Sequence, residues 1–170
     1  MPIIRIIFRA GLPLESSRYV KKEKSETRLG SDRCKTIESN PMKEKVLIVD
    51  DNSNNRFCLR DFLRYEDFHV LSADNGLKGL QLSKDFLPDL VVCDIKMPKL
   101  DGYGFLQQLR ADVATADIPF IFLTGLDSLA SRSQARELGA NDYLVKPVRL
   151  NKILQTINAC LERTAIAAIV

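Results

Sequence analysis

Soft metal ligands are scarce in this sequence, and those present are not grouped. There is one histidine, His69, and the cysteines Cys34, Cys58, Cys93 and Cys160 are scattered, with no CxxC pair and no zinc-like spacing. That pattern excludes a cysteine–histidine metal centre and fits reduced thiols better than a disulfide framework. Long apolar runs are missing as well: none reaches the roughly 18 residues needed to cross a bilayer. The opening MPIIRIIFRAGLPL is interrupted by Arg5 and Arg9, which spoils it as a signal-peptide core, and Glu15, Glu23 and Glu26 argue against a transit peptide. The expectation is a cytoplasmic chain with no membrane span. Large net charge is also absent, the formal value being +3. Residues 1–41 hold nine Lys/Arg against five Asp/Glu, whereas residues 42–170 hold sixteen against seventeen, so the basic excess lies entirely in the first stretch. No basic stripe interleaved with aromatics runs through the remainder, which removes the usual signature of nucleic-acid binding from it.

What is present is ordinary globular material, 45% hydrophobic and 28% charged. A chain of this length can bury roughly 70% of its extended surface and needs no staples. Residues 15–41 are polar, charged and without sustained period, and are expected to be disordered. The texture changes at Met42, a candidate translation start. The chain is therefore divided into a basic leader over 1–41, a folded domain over 42–163 and a short tail over 164–170, the last a frayed helix end or an apolar docking segment.

Within the folded part, apolar runs alternate with amphipathic ones. Strands are predicted at Val46–Val49, Phe68–Leu71, Leu90–Cys93, Pro119–Leu123 and Tyr143–Val145. Helices are predicted at Ser53–Leu63, Gly76–Phe86, Tyr103–Leu109, Ser128–Leu138 and Leu150–Leu161, with Gly139 stopping the fourth. The strands are apolar throughout rather than alternating, as expected when helices cover both faces of a parallel sheet. Five short-linked strand–helix units predict a doubly wound α/β fold. In such folds ligands sit outside the carboxyl ends of the strands.

Those ends are unusual. The first strand stops at Asp50 and Asp51, the third at Asp94, the fourth at Thr124 and the fifth at Lys146, which precedes Pro147. Parallel strands would gather three carboxylates, a hydroxyl and an ammonium in one crevice. Crowded carboxylates repel one another, and a hard divalent cation relieves the repulsion. An all-oxygen ligand set suits Mg²⁺. A metal, a fixed cation, a hydroxyl donor and an oxygen nucleophile are the parts needed for phosphoryl transfer, and a carboxylate can itself be the nucleophile.

The segments LIVDDN, VCDIKMPKLDGYGFL, PFIFLTG and GANDYLVKP, in this order, resemble the response-regulator receiver domain of two-component signalling, of the stand-alone type, over about residues 45–162. The resemblance implies a flavodoxin-like strand order 2-1-3-4-5 with helices on both faces. It implies Asp94 as phosphoacceptor, and Asp50, Asp51, Asp94 and the backbone carbonyl of Lys96 as Mg²⁺ ligands, Asp50 mainly through water. Lys146 and Thr124 would hold phosphate oxygens. Thr124 and Tyr143 would form the switch, and Lys146–Pro147 would be cis. The implied partners are a sensor histidine kinase or a histidine phosphotransfer protein, together with a downstream protein bound through the face made by helix 4, strand 5 and helix 5. No DNA-binding domain is expected, because few residues follow the last helix. The chain would be a signalling switch rather than an enzyme, limited to phosphorylating itself from small phosphodonors and dephosphorylating itself.

Plainer readings stand beside these. Asp50–Asp51 could simply cap the helix that begins at Ser53. Asp101–Gly102 reads as turn chemistry before the third helix. Tyr143 could be core, Lys146 a solvated surface residue, and Cys93 a small buried hydrophobe. Lys96 and Leu126 flank the crevice, where the family tunes phosphoryl lifetime. His69 lies on the second strand, away from the functional strand ends, and makes a poor base, ligand or phosphodonor. Two other functions use similar parts. One is a metal-dependent phosphohydrolase, which would want a second acid near Asp94, where residue 96 is lysine. The other is a nucleotide- or flavin-binding domain, which would want a glycine-rich loop where DDNSNN stands.

Overall fold

All five predicted strands form, and every neighbouring pair is parallel. The computed structural model describes residues 43–167, so the predicted leader and Met42 lie outside the described residues, as do residues 168–170. The elements alternate along the chain as β1 (Lys45–Val49), α1 (Ser53–Tyr65), β2 (His69–Ala73), α2 (Gly76–Phe86), β3 (Leu90–Cys93), α3 (Gly102–Ala111), β4 (Phe120–Thr124), α4 (Leu129–Glu137), β5 (Asp142–Val145) and α5 (Leu150–Ala167). The sheet order is β2-β1-β3-β4-β5, the doubly wound flavodoxin-like arrangement.

Pleating explains why the strands are apolar on both sides. Val46 and Ile48 face one core with Leu59 and Leu63 of α1 and Ile153 and Ile157 of α5. Leu47 and Val49 face the other, with Phe105, Leu106 and Leu109 of α3 and Ala135 of α4. Phe120 and Phe122 alternate with Ile121 in the same way and put two fully buried rings on the α3 side, edge-to-face at 4.9 Å. Truncating a ring so placed costs about 3–5 kcal/mol.

Helix ends follow local chemistry. Asn52, Asn75, Asp101 and Ser128 are N-caps whose side-chain oxygens accept from backbone N–H groups of the first turns of α1, α2, α3 and α4. Helix α4 stops as predicted: Gly139 has φ +86°, its N–H donates to Arg136 O, and Ala140 N–H donates to Ala135 O. That is the paired-bond C-cap that favours glycine.

Most element ends differ from the sequence reading by one or two residues, and three of the differences have a local cause or a larger extent. Strand β2 runs to Ala73 because Ser72 and Ala73 pair with Ile48 and Val49. Strand β4 is shifted one residue on, to Phe120–Thr124, since Pro119 has no N–H and supplies only its carbonyl to Val91. Helix α5 continues to Ala167, past the predicted end at Leu161 and into the predicted tail, with its last buried residue at Cys160.

Candidate functional site

The parallel register brings the ends of β1, β3, β4 and β5 to one edge. Asp94 N–H donates to Val49 O at 2.8 Å, which locks the residue after β3 beside the residue before Asp50. Lys146 N–H donates to Thr124 O, also at 2.8 Å, and ties the end of β5 to the end of β4. The Lys146–Pro147 peptide bond is cis.

Asp50 is buried, at 4% exposure, and its carboxylate is saturated with donors. Oδ1 accepts from Asn52 N–H at 2.8 Å, and Oδ2 accepts from the Asn55 carboxamide at 3.2 Å and from Lys146 Nζ at 2.7 Å. The α1 cap is Asn52, so neither Asp50 nor Asp51 is consumed by helix capping, and the plainer reading of that pair fails. Asp94 Oδ1 accepts from Ile95 N–H at 2.6 Å, and Oδ2 accepts from Lys146 Nζ at 2.8 Å. One ammonium therefore bridges two carboxylates. Asp51 is exposed and completes an acidic group in which one oxygen each from Asp50, Asp51 and Asp94 lie within 4.8 Å of one another. This is an all-oxygen donor set of the kind hard divalent cations take.

Electrostatics follow from this crowding. Burial disfavours the Lys146 ammonium, but hydrogen bonds from it to Asp50 and Asp94, and their charges, outweigh burial and raise its pKa above the ordinary lysine value. Cys93 is fully buried and donates its thiol to Asp94 O at 2.9 Å. Burial, then the charges of Asp94 and Asp50, push that thiol well up, so Cys93 packs as a neutral small side chain.

Thr124 is buried, and its hydroxyl accepts from Leu126 N–H at 3.3 Å. Tyr143 is half-buried, with its ring 6.0 Å from that of Phe122 and the Arg132 guanidinium 5.2 Å from the ring centre. Its hydroxyl donates to Leu126 O at 2.9 Å, so Thr124 and Tyr143 meet through the backbone of one residue. Burial, and next Tyr103, raise the Tyr143 phenol pKa. Lys96 is exposed, its N–H 3.4 Å from Asp94 Oδ1. Leu126 borders the same edge. His69 opens β2, paired with Lys45, at the opposite edge of the sheet.

The turn expected at Asp101–Gly102 is the cap of α3, and it also supports the site. Gly102 N–H donates to Ile95 O at 2.9 Å, and a Cβ on Gly102 would overlap the Asp94 carbonyl oxygen. Sequence reasoning missed Asn55 and Arg56. The former grips Asp50 Oδ2, and the latter donates from Nη1 to Asp50 O at 2.6 Å. Their spacing, one helical turn after Asp50–Asp51 on a capped helix, is the signal that could have found them. A cleft of about 300 Å³ leads from Asp50, Asp94 and Lys146 between α1 and α5, walled by Leu59, Val148 and Ile153.

Residues 46–158 match the family model described as the response regulator receiver domain. The chain is 44% identical over 137 residues to the probable transcriptional regulator ycf27 of Guillardia theta, covering 81% of this chain and 52% of that protein. It is 37% identical over 120 residues to the DNA-binding dual master transcriptional regulator RpaA of a Synechocystis strain, covering 71% and 50%. Among solved structures, it resembles the receiver domain of the sensor histidine kinase PA1611 of Pseudomonas aeruginosa, determined with magnesium coordinated in the active-site cleft, at TM-score 0.66 and 25% identity, covering 71% of this chain and 98% of that one.

The chain thus spans about half the length of the two regulators. This corrects one expectation: an output confined to a downstream protein on the helix 4–strand 5–helix 5 face, with no DNA-binding domain, does not stand. That expectation read the last residues of the chain as the end of the signalling protein, whereas one relative is named a probable transcriptional regulator and the other a DNA-binding transcriptional regulator, and the chain matches about half of each. The absence of a membrane span holds for the described residues, where no helix is long and apolar enough to cross a bilayer. Fold, strand-end chemistry and the match over residues 46–158 lead to one conclusion: the chain belongs to the response regulator receiver domain family.

Proposed function

We propose that this domain is a phosphorylation-dependent switch in which Asp94 accepts a phosphoryl group from a histidine kinase or a histidine phosphotransfer protein. The observation that carries this reading is the Lys146 ammonium held 2.7 Å from Asp50 Oδ2 and 2.8 Å from Asp94 Oδ2, with Asp51 completing a three-carboxylate cluster. Asp94 Oδ2 is the nucleophile, because Oδ1 is held by Ile95 N–H while the other oxygen is shared only with the Lys146 ammonium. In the transfer, Oδ2 bonds to phosphorus, the phosphorus–nitrogen bond of phosphohistidine breaks, and the leaving imidazole takes a proton from water. Lys146 then turns from the carboxylates to a phosphoryl oxygen, and Thr124 donates its hydroxyl to another.

Asp50, Asp51, Asp94 and the carbonyl of Lys96 would hold Mg²⁺. The ion supplies charge neutralisation that lets an anionic carboxylate approach an anionic phosphoryl group. Drawing Thr124 inward strains the Leu126 backbone that Tyr143 also grips, which couples the site to the surface around α4. The free thiols at Cys58, Cys93 and Cys160 suit action in the cytoplasm.

The test is intact mass after incubation with acetyl phosphate, with and without Mg²⁺, for wild type and Asp94→Asn. The reading expects one phosphoryl adduct that needs Mg²⁺ and is lost in the variant. An adduct of equal yield in Asp94→Asn would reject Asp94 as the acceptor.

A further inference from the structure

The β4–α4 connection is held at two points by phenol hydroxyls, and only one of them belongs to a residue with a role in the switch described above. Helix α4 is thinly anchored: Ala135 is its only buried residue. Its C-terminal end is fixed by the Gly139 cap and by Arg110, whose Nη2 donates to Gly139 O at 2.9 Å while Nη1 donates to Ala116 O and Ile118 O. Its N-terminal end is held by side chains from three directions. Ser128 caps it, Arg132 pairs with the exposed Asp127, Tyr143 holds Leu126 O, and Tyr103 of α3 donates its hydroxyl to Ser131 O at 3.1 Å. Tyr103 is otherwise seated against Phe122, edge-on at 5.3 Å, on the side of the ring network that ends in Tyr143. The segment Leu126–Ser131 is thus gripped near each end by one tyrosine. The residue that must bend for it to shift is Gly125, around which a Cβ would meet nothing within 4 Å.

We propose that Tyr103 is a positioning residue that pins the first turn of α4 to α3 and so sets the cost of drawing Thr124 toward Asp94. The proposal rests on the switch reading above. The Thr124 hydroxyl accepts from Leu126 N–H and keeps its own O–H free to donate, so as Thr124 moves toward a phosphoryl oxygen that bond draws Leu126 with it. The displacement passes through Gly125 and Leu126 into Ser128–Ser131, where the Tyr103 hydroxyl resists it. One uncharged hydrogen bond is lost in the shift, which corresponds to about a fivefold change in an equilibrium constant. Phenylalanine keeps the ring against Phe122 and removes only the hydroxyl, so the fold is spared. A role in packing alone predicts no gain from that change.

Two measurements test this on wild type, Tyr103→Phe and Asp94→Asn. The first is native-state amide hydrogen exchange without metal, read at the first turn of α4. Tyr103→Phe is expected to speed exchange there about fivefold and to leave β1 and β3 unchanged. The second is titration with fluoroberyllate in Mg²⁺. Tyr103→Phe is expected to bind about fivefold more tightly than wild type, and Asp94→Asn not to bind. Unchanged exchange, or equal or weaker fluoroberyllate binding by Tyr103→Phe alongside normal wild-type binding, would overturn the role of Tyr103 and leave the switch reading intact. Failure of wild type to bind fluoroberyllate would overturn both.

Discussion

Replacing Lys146 by methionine keeps the aliphatic stem and removes the cation that bridges Asp50 and Asp94. Side-chain exposures of 6% for Asp50, 14% for Asp94 and 24% for Lys146 put these charges largely out of water. With the ammonium gone, carboxylate oxygens within 4.8 Å of each other repel. At an effective dielectric of about 20 that repulsion is worth about 3.5 kcal/mol, and partial solvent screening brings the expected loss to about 2–3 kcal/mol. The assay is urea unfolding at neutral pH and low salt with chelator present. Lys146→Met should lose about 2–3 kcal/mol against wild type, and adding Asp50→Asn to it should restore most of that loss, because the repelling pair is then broken from the other side. Excess Mg²⁺ should narrow the gap between Lys146→Met and wild type, since the cation replaces the missing positive charge. A loss below about 0.5 kcal/mol, or a loss that the second substitution leaves untouched, would refute the claim that Lys146 neutralises a buried carboxylate pair.

Two further outcomes follow from the same geometry. Gly102→Ala should destabilise by about 1–3 kcal/mol, because its Cβ overlaps the Asp94 carbonyl and either the α3 cap or the loop after β3 must shift; calorimetry would show it, and a change within about 0.3 kcal/mol would mean the loop is slack. On the alkaline side, the folded-state pKa values of Cys93, Tyr143 and Lys146 are all raised above their ordinary values of 9.0, 10.0 and 10.5. The folded chain then holds protons that the unfolded chain releases, so the stability these groups contribute is complete below pH 9.0 and is lost as pH rises through their folded values. Urea midpoints should fall above that pH, and Cys93→Ala should flatten the first part of the decline. A midpoint independent of pH in that range would contradict the burial of the thiol.

Much of this was legible because the site is built on strand ends, and strand ends are marked where an apolar run stops. Asp50, Asp51, Asp94, Thr124 and Lys146 each sit within two residues after such a run, and parallel pairing does the rest. Gly139 was readable for a similar reason, since a positive φ after an amphipathic run leaves few other choices. The missed features depend on reach rather than on pattern. Asn55 and Arg56 look like ordinary polar positions at the start of α1, and they matter only because the turn after β1 folds them back over Asp50. Tyr103 looks like core, and its hydroxyl acquires a partner 28 residues away only once α3 and α4 lie side by side. The end of α5 was misplaced because Glu162–Ala167 has no apolar stripe to read. Alanine-rich sequence continues a helix already nucleated upstream without needing one.

The central claim is that Asp94 itself carries the phosphoryl group, and borohydride reduction of the phosphorylated protein tests it most directly. Hydride attacks an acyl phosphate and converts the aspartyl residue to homoserine, which peptide mapping then locates. After treatment with acetyl phosphate and Mg²⁺, the account predicts homoserine at position 94 alone, and none when Mg²⁺ is left out. Homoserine at position 50 or 51, or phosphate retained on a hydroxyl that borohydride does not touch, would contradict it.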